Sequence, residues 1–136
     1  MSAPKQPVPL LAVAHGSRDP RAAVTVGAIF DRVRALRPEL DVRVSYLDHV
    51  APGPQEALAA LAAEGVDEVV VSPALLTAAF HSKVDLPRAI DAAGERAPWL
   101  RVHRADTFGP HPLLVSAVER RLSEAGARPA PDTALV

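Results

Sequence analysis

Cysteine and aromatic side chains are the scarce residues of this sequence. None of its 136 residues is a cysteine, which excludes disulfide bonds, thiolate metal sites and a cysteine nucleophile. Aromatic residues make up 4% of the chain, whereas hydrophobic residues make up 49%. The core must therefore be built mainly from alanine, valine and leucine.

The sequence also lacks an excess of charge of either sign and any long hydrophobic run. The formal net charge is −1 at pH 7, so the basic surface typical of nucleic-acid-binding proteins is missing. No apolar run approaches the roughly 20 residues of a membrane-spanning helix, and residues 1–9 lack the apolar region of a signal peptide. These absences predict a cytoplasmic protein with no nucleic-acid or membrane partner.

Short apolar runs alternate along the chain with segments that repeat apolar residues at helical spacing. This alternation predicts an α/β fold, because parallel strands are joined by crossover helices. We expect a flavodoxin-like three-layer sandwich around a four-stranded, mostly parallel sheet. The predicted strands are 10–14, 41–47, 68–71 and 100–103, and the predicted helices are 20–36, 54–64, about 85–94 and 113–125.

The stretch after the first predicted strand combines a histidine with the start of a helix. It reads His15-Gly16-Ser17-Arg18-Asp19-Pro20. Gly16 permits a sharp turn, while Asp19 and Pro20 are residue types favoured at the N-cap and first position of a helix. His15 is therefore predicted to lie between strand and helix, at the edge where open α/β sheets bind ligands.

Three residues that can bind a metal fall at this same predicted edge of the sheet. His15 follows the first strand, Asp48 follows the second, and His81 ends the long loop after the third. Two imidazoles and a carboxylate suit Fe²⁺, Co²⁺, Ni²⁺ or Zn²⁺. Because structural sites are usually closed by four protein ligands, such an incomplete set favours catalysis or metal transfer.

Each of these residues also has a structural interpretation. His15 would then be a hydrogen-bonded turn residue, Asp48 a turn former, and His81 a side chain packed at a helix entrance. His49, next to Asp48, is a weaker substitute ligand. His103, between Arg101 and Arg104, is interpreted as a solvated strand-end residue, and His111, between two prolines, as a structural residue. The apolar loop 74–80 either covers the core or forms a wall for a flat hydrophobic ligand.

The motifs of several other enzyme classes are missing. The chain contains neither Gly-x-Gly-x-x-Gly nor Gly-x-x-x-x-Gly-Lys, so a nucleotide-phosphate loop is not supported. His15-Gly16-Ser17 does not match the Gly-x-Ser-x-Gly turn of hydrolases. Nothing in the sequence singles out Ser17 as a nucleophile.

The chain resembles the class II chelatases of tetrapyrrole synthesis, the sirohydrochlorin cobaltochelatases and ferrochelatases, over nearly its whole length. The resemblance rests on four motifs, of which the first and third together are specific. These are His15-Gly16-Ser17-Arg18-Asp19-Pro20, Tyr46-Leu47-Asp48 followed by Pro52, Pro73-Ala74-Leu75-Leu76 leading to His81 and Asp85-Leu86-Pro87, and Leu113-Leu114 after Gly109-Pro110-His111-Pro112.

The resemblance implies an enzyme that inserts Co²⁺ or Fe²⁺ into sirohydrochlorin, towards cobalamin or sirohaem, with the metal as substrate and no organic cofactor. It implies that His15 and His81 bind the metal and act in catalysis. The family usually has a glutamate where this chain has Asp48, so the shorter aspartate reaches the metal directly or through a water. The residues expected to contact the tetrapyrrole are Ser17, Arg18, Ser72, Leu75, Leu76 and Phe80.

Three other functions fit parts of the same pattern. A nickel chelatase acting on a related tetrapyrrole would use the same ligands, since they accept several metals. A non-catalytic carrier would bind the metal or the tetrapyrrole without turnover. A purely structural domain would bind no metal.

Residues 1–126 are predicted to form a single chelatase-type domain. Residues 127–136 are interpreted as a linker followed by the start of a truncated second domain, or else as a natural tail. In the resembled family, short members pair as homodimers and long members carry two such domains. We therefore expect a homodimer or a second chelatase-type domain, with loop 74–80 near the join.

Overall fold

The computed structural model describes residues 7–77, 81–128 and 130–131, with the backbone alone at residues 81 and 82. Within these ranges the chain forms four strands and four helices, and a short π-helical turn, His81–Asp85, leads into the third helix. The strands are β1 (Leu10–Ala14), β2 (Val42–Tyr46), β3 (Glu68–Pro73) and β4 (Arg101–Arg104). The helices are α1 (Pro20–Leu36), α2 (Pro54–Ala63), α3 (Leu86–Arg96) and α4 (Pro112–Glu124).

The four strands form one parallel sheet in the order β2-β1-β3-β4. The chain leaves β1 towards one side of the sheet and later returns to β3 on the other side of β1. The loops after β1 and β3 therefore diverge at a topological switch point, where open α/β sheets bind ligands. The predicted α/β fold with a four-stranded parallel sheet is confirmed.

The core lies mainly between the sheet and the helices α2 and α3. Its fully buried side chains are aliphatic, as the composition predicts, and each contributes about 1.5–3 kcal/mol by leaving water. A smaller cluster around Ala12, Phe30 and Val42 lies under α1 on the opposite face. The fully buried aliphatic residues of the larger cluster are Leu11, Val13, Leu58, Leu61, Val69, Val71 and Leu86.

Two predicted boundaries are wrong. Helix α3 continues through Gly94 to Arg96, because Gly94 lies inside the helix and the helix ends only at Ala97, just before Pro98. Ala97 has the extended φ of −134° that the residue before a proline prefers. Strand β3 extends to Pro73, because its pairing with β1 continues to Val13 opposite Pro73.

Several predictions fall outside the described residues. They concern the leader at residues 1–6, the loop residues 78–80 with Phe80, and the strand predicted to begin at residues 132–136. Among the described residues, no helix is both long and apolar enough to cross a membrane.

Candidate metal and substrate site

Hydrogen bonds beyond the strand ends hold the loops after β1 and β2 together. The amide of Leu47 donates to the carbonyl of Ala14 at 2.9 Å, and the amide of Asp48 donates to the carbonyl of His15 at 3.0 Å. Backbone contact between the two segments thus continues past the ends of β1 and β2, as far as His15 and Asp48. This contact brings the backbones of His15 and Asp48 side by side, with both side chains exposed.

Gly16 makes this close approach possible. Its φ is +91°, and a Cβ added at this position would overlap the carbonyl oxygen of Asp48. The predicted sharp turn is therefore confirmed, and the glycine has a second role that the sequence did not reveal. It lets the loop after β1 lie directly against the loop after β2.

The carboxylate of Asp48 is oriented by its neighbour His49. Asp48 Oδ1 accepts the amide of His49 at 2.9 Å, and Oδ2 lies 3.4 Å from His49 Nε2. His49 has a φ of 61°, a left-handed conformation that few non-glycine residues adopt. This bend keeps the His49 imidazole beside the carboxylate, so the two side chains form one polar pair beyond the end of β2.

Two successive hydrogen bonds from backbone amides to side-chain oxygens fix the turn between His15 and α1. Ser17 Oγ accepts the amide of Asp19 at 3.1 Å, and Asp19 Oδ1 accepts the amide of Arg21 at 2.9 Å. The Arg21 side chain also donates to Asp19, and together with the amide of Arg21 it lowers the pKa of that carboxyl. The predicted N-cap at Asp19 is confirmed.

Arg18 lies within this capped turn. It is exposed and makes no ion pair with any residue that the structure describes. Its guanidinium is therefore available to an anionic ligand at this edge of the sheet. Ser17, in contrast, already uses its oxygen as an acceptor within the turn.

The loop after β3 is tied to the segment that precedes α4. The amide of Ala74 continues the β1–β3 pairing by donating to Val13 at 2.8 Å, and the carbonyl of Leu75 accepts the amide of Phe108 at 2.9 Å. Leu75 is half-buried, whereas Leu76 is 66% exposed. Two apolar side chains thus lie at the edge, and Ser72 is half-buried on β3 opposite Ala12.

His81 begins the π-helical turn that leads into α3, so its backbone follows the loop after β3. Its side chain is not among those described. Among the described side chains, no group of three histidine, aspartate or glutamate residues lies close enough to hold a metal ion. The structure therefore brings the backbones of His15 and Asp48 together, and the metal-ligand roles of His15, Asp48 and His81 stay predictions.

Two further histidines have partners away from this cluster. His111 is the N-cap of α4, where its Nδ1 accepts the amide of Leu113 at 3.1 Å. The interpretation of His111 as structural is confirmed. His103 was expected to be a solvated strand-end residue, but its Nε2 lies 2.9 Å from Glu68 on the neighbouring strand.

Comparison with known proteins identifies the family. The sequence profile described as CbiX matches residues 9–125. The chain belongs to the CbiX family. It is 31% identical over 134 residues to the sirohydrochlorin cobaltochelatase of Priestia megaterium, an alignment that covers 93% of this chain and 42% of that protein.

Relatives of this CbiX-family chain differ widely in length. The chain spans less than half of the first curated relatives it matches, at 42%, 43% and 45%. The sirohydrochlorin cobaltochelatase of Methanosarcina acetivorans is shorter: it is 25% identical over 123 residues, which are 85% of this chain and 95% of that protein.

A solved structure supports the same fold. The sirohydrochlorin chelatase SirB from Bacillus subtilis subspecies spizizenii, solved in complex with cobalt, superposes with a TM-score of 0.78 at 29% identity. The match covers 85% of this CbiX-family chain and 49% of SirB. The chain therefore has the fold of one half of a longer chelatase.

Proposed function

We propose that this chain inserts a divalent metal, Co²⁺ or Fe²⁺, into sirohydrochlorin, in the synthesis of cobalamin or sirohaem. The observation that carries the proposal is the pairing of His15 and Asp48 at the switch point of a CbiX-family sheet. The metal is a substrate, and no organic cofactor is needed. A cytoplasmic location is part of the same proposal.

His15 is suited to hold the metal weakly and to move a proton. Its Nδ1 lies 3.3 Å from the carbonyl of Gly16. In the tautomer that donates this hydrogen bond, Nε2 carries the lone pair that a metal ligand or a base requires. The macrocycle loses two pyrrole protons as the metal enters, so a nearby imidazole can accept one of them.

Asp48 and His81 complete the proposed ligand set. Asp48 supplies a carboxylate from the loop after β2, and His81, whose backbone follows the loop after β3, supplies a second imidazole. Three protein ligands leave coordination positions open, and the macrocycle nitrogens can occupy these as the metal is transferred. The exposure of His15 and Asp48 supports delivery to a ligand that approaches from solvent.

The tetrapyrrole would lie against the loop after β3. Leu75 and Leu76 offer an apolar surface for its flat ring, and Ser72, Phe80 and Ser17 are the other residues proposed to contact it. The substrate carries carboxylates, and the free guanidinium of Arg18 can bind them in a bidentate manner. Lys83 is exposed on the turn before α3 and offers a second positive charge.

A single α/β unit provides only one wall for a ring that has two faces. We propose that the second wall comes from a second copy of this chain or from a second chelatase-type domain. In this arrangement residues 1–126 form one lobe, and residues 127–136 lie outside it.

Anaerobic incubation with sirohydrochlorin and Co²⁺, Fe²⁺ or Ni²⁺, followed by absorption spectroscopy, tests the proposal. We expect the spectrum of the metallated product to appear faster with protein than without it for Co²⁺ or Fe²⁺. A preference for Ni²⁺ would indicate a nickel chelatase instead. No acceleration with any of the three metals would contradict the proposal.

Replacing Asp48 should separate its role from that of the histidines. We expect Asp48→Ala to slow metal insertion by about 10-fold, a smaller effect than the loss of His15, because the aspartate is shorter than the glutamate usual in the family and reaches the metal less directly. Asp48→Glu should retain most activity, since the carboxylate is kept. Steady-state metallation rates measure both. A larger loss in Asp48→Ala than in His15→Ala would reverse the assigned roles.

Replacing Arg18 should affect substrate binding more than the chemical step. We expect Arg18→Ala to raise the KM for sirohydrochlorin by about 10-fold with little change in kcat, because one charge-assisted contact is lost. Arg32→Ala is the matched control, since Arg32 is also exposed but lies well along α1. An equal effect of both substitutions would show that only overall charge matters.

A further inference from the structure

Residues 107–109, which precede α4, lie directly against the loop after β3. The amide of Phe108 donates to the carbonyl of Leu75 at 2.9 Å. A Cβ added at Gly109 would lie 2.1 Å from the carbonyl oxygen of Leu76. Gly109 is buried, so the two backbones meet with no room for a side chain between them.

Pairing with β1 holds the loop after β3 only at its start, where the amide of Ala74 donates to Val13 at 2.8 Å. Beyond Ala74, Phe108 supplies the one backbone hydrogen bond that reaches residues 75–77 from another segment of the described chain. Leu76 is 66% exposed, so burial of its side chain does little to fix it. Within the part of the chain that the structure describes, residues 107–109 therefore set the position of this loop.

Residues 107–109 are themselves anchored on the α1 side of the sheet. The ring centroids of Phe108 and Phe30 are 6.4 Å apart, with 43° between the ring planes, a separation typical of favourable aromatic pairs. Phe30 is 2% exposed and belongs to the buried cluster against which Ala74 also packs. Thr107 Oγ1 donates to the carbonyl of Gly109 at 3.0 Å, which closes the turn. Since α1 follows the turn that carries His15, residues 107–109 connect both sides of the switch point.

We propose that Phe108 and Gly109 are positioning residues for the tetrapyrrole, because they hold Leu75 and Leu76 in place before the ring binds. The inference rests on the proposed function, in which these two leucines offer the apolar surface for the ring. A loop that is already fixed loses little conformational freedom on binding, so more of the contact energy appears as affinity. Phe108 and Gly109 act through the backbone of the loop and need no contact with the metal.

Gly109→Ala tests this role most directly. The added methyl group must displace the carbonyl of Leu76, which is a backbone atom, so the loop has to shift. In a titration with sirohydrochlorin and no metal, followed by absorption, we expect the Kd to rise by about 10-fold. The KM for sirohydrochlorin should rise by a similar factor, while kcat changes by less than about 3-fold.

Gly94→Ala is the matched control for this substitution. Gly94 lies within α3, and a Cβ added there meets no atom within 4 Å. This variant should bind sirohydrochlorin as the wild-type chain does. All Kd values are compared on samples that melt cooperatively, so a loss of overall stability is not mistaken for a loss of positioning.

Phe108→Ala keeps the proposal testable if Gly109→Ala does not fold. It removes the contact with the Phe30 ring and should raise the Kd by about 3-fold, whereas Phe108→Tyr keeps the ring and should stay within about twofold of the wild type. The decisive variant is Gly109→Ala, or Phe108→Ala if Gly109→Ala is unfolded. Wild-type affinity in that variant would overturn the positioning role.

The same titration separates this inference from the proposed function. A wild-type chain that binds sirohydrochlorin but inserts no metal would reject the proposed catalysis, and the Kd values of the variants would still decide the positioning role. A wild-type chain that binds no sirohydrochlorin would overturn both.

Discussion

His15→Ala is expected to lower the rate of metal insertion by at least about 100-fold, because a metal ligand and a proton acceptor are lost together. His81→Ala is expected to have an effect of similar size, since it removes the second imidazole of the proposed set. His15 is exposed and lies beyond the end of β1. Its loss should therefore change the free energy of unfolding by less than about 0.5 kcal/mol.

The control for this experiment is another histidine of the same chain. His111→Asn keeps a side-chain acceptor at the N-cap of α4 while removing an imidazole, and it should insert metal at the wild-type rate. Steady-state metallation is measured on samples that melt cooperatively. A near-wild-type rate in either His15→Ala or His81→Ala would reject these residues as the metal ligands.

Gly16→Ala is expected to damage both stability and activity. The added methyl group would overlap the carbonyl oxygen of Asp48, and the φ of +91° is unfavourable for any side chain. The loops after β1 and β2 must separate, which should cost about 2 kcal/mol or more. Because His15 and Asp48 move apart, the insertion rate should fall by about 100-fold.

Gly27→Ala is the matched control for this substitution. Gly27 lies within α1, and an added Cβ meets no atom within 4 Å. Alanine is the better helix former, so this variant should gain about 0.5–1 kcal/mol of stability and keep full activity. If Gly16→Ala melts at the wild-type temperature and inserts metal normally, the contact between the two loops does not position the site.

The fold was predictable because its signals are local and repeated. Four apolar runs separated by helical periodicity suffice to predict a parallel α/β sheet. The N-cap at Asp19 and the turn at Gly16 were likewise readable from residue type alone. The end of α3 was misplaced because a glycine in a helix interior resembles a helix terminus, and Gly94 gives no local sign that the helix continues to Arg96.

The candidate site was predictable only as far as topology allows. Parallel strands bring the residues after β1 and β2 to one edge, so the proximity of His15 and Asp48 follows from the fold. The contact between Gly16 and the Asp48 carbonyl depends on how the loops after β1 and β2 are placed relative to each other. No local sequence pattern encodes this placement. The pairing of His103 with Glu68 depends on strand register and was missed for the same reason.

The exposed position of α4 also lay beyond local patterns. Its sequence has the amphipathic periodicity of a helix that packs on a sheet, and the expectation was a helix within the sandwich. The contacts of Phe108 with Leu75 and of Gly109 with Leu76 are long-range. They decide where the helix starts, and α4 has no buried residue.

The central claim is that this chain catalyses metal insertion and does not simply bind its substrates. The most direct measurement uses a small amount of protein with excess sirohydrochlorin and Co²⁺ under anaerobic conditions, and follows the product by absorption. If the chain is a catalyst, the amount of metallated product should exceed the amount of protein many-fold and should form at a constant initial rate. Product that stops at one equivalent per site would indicate a carrier, and would contradict the account.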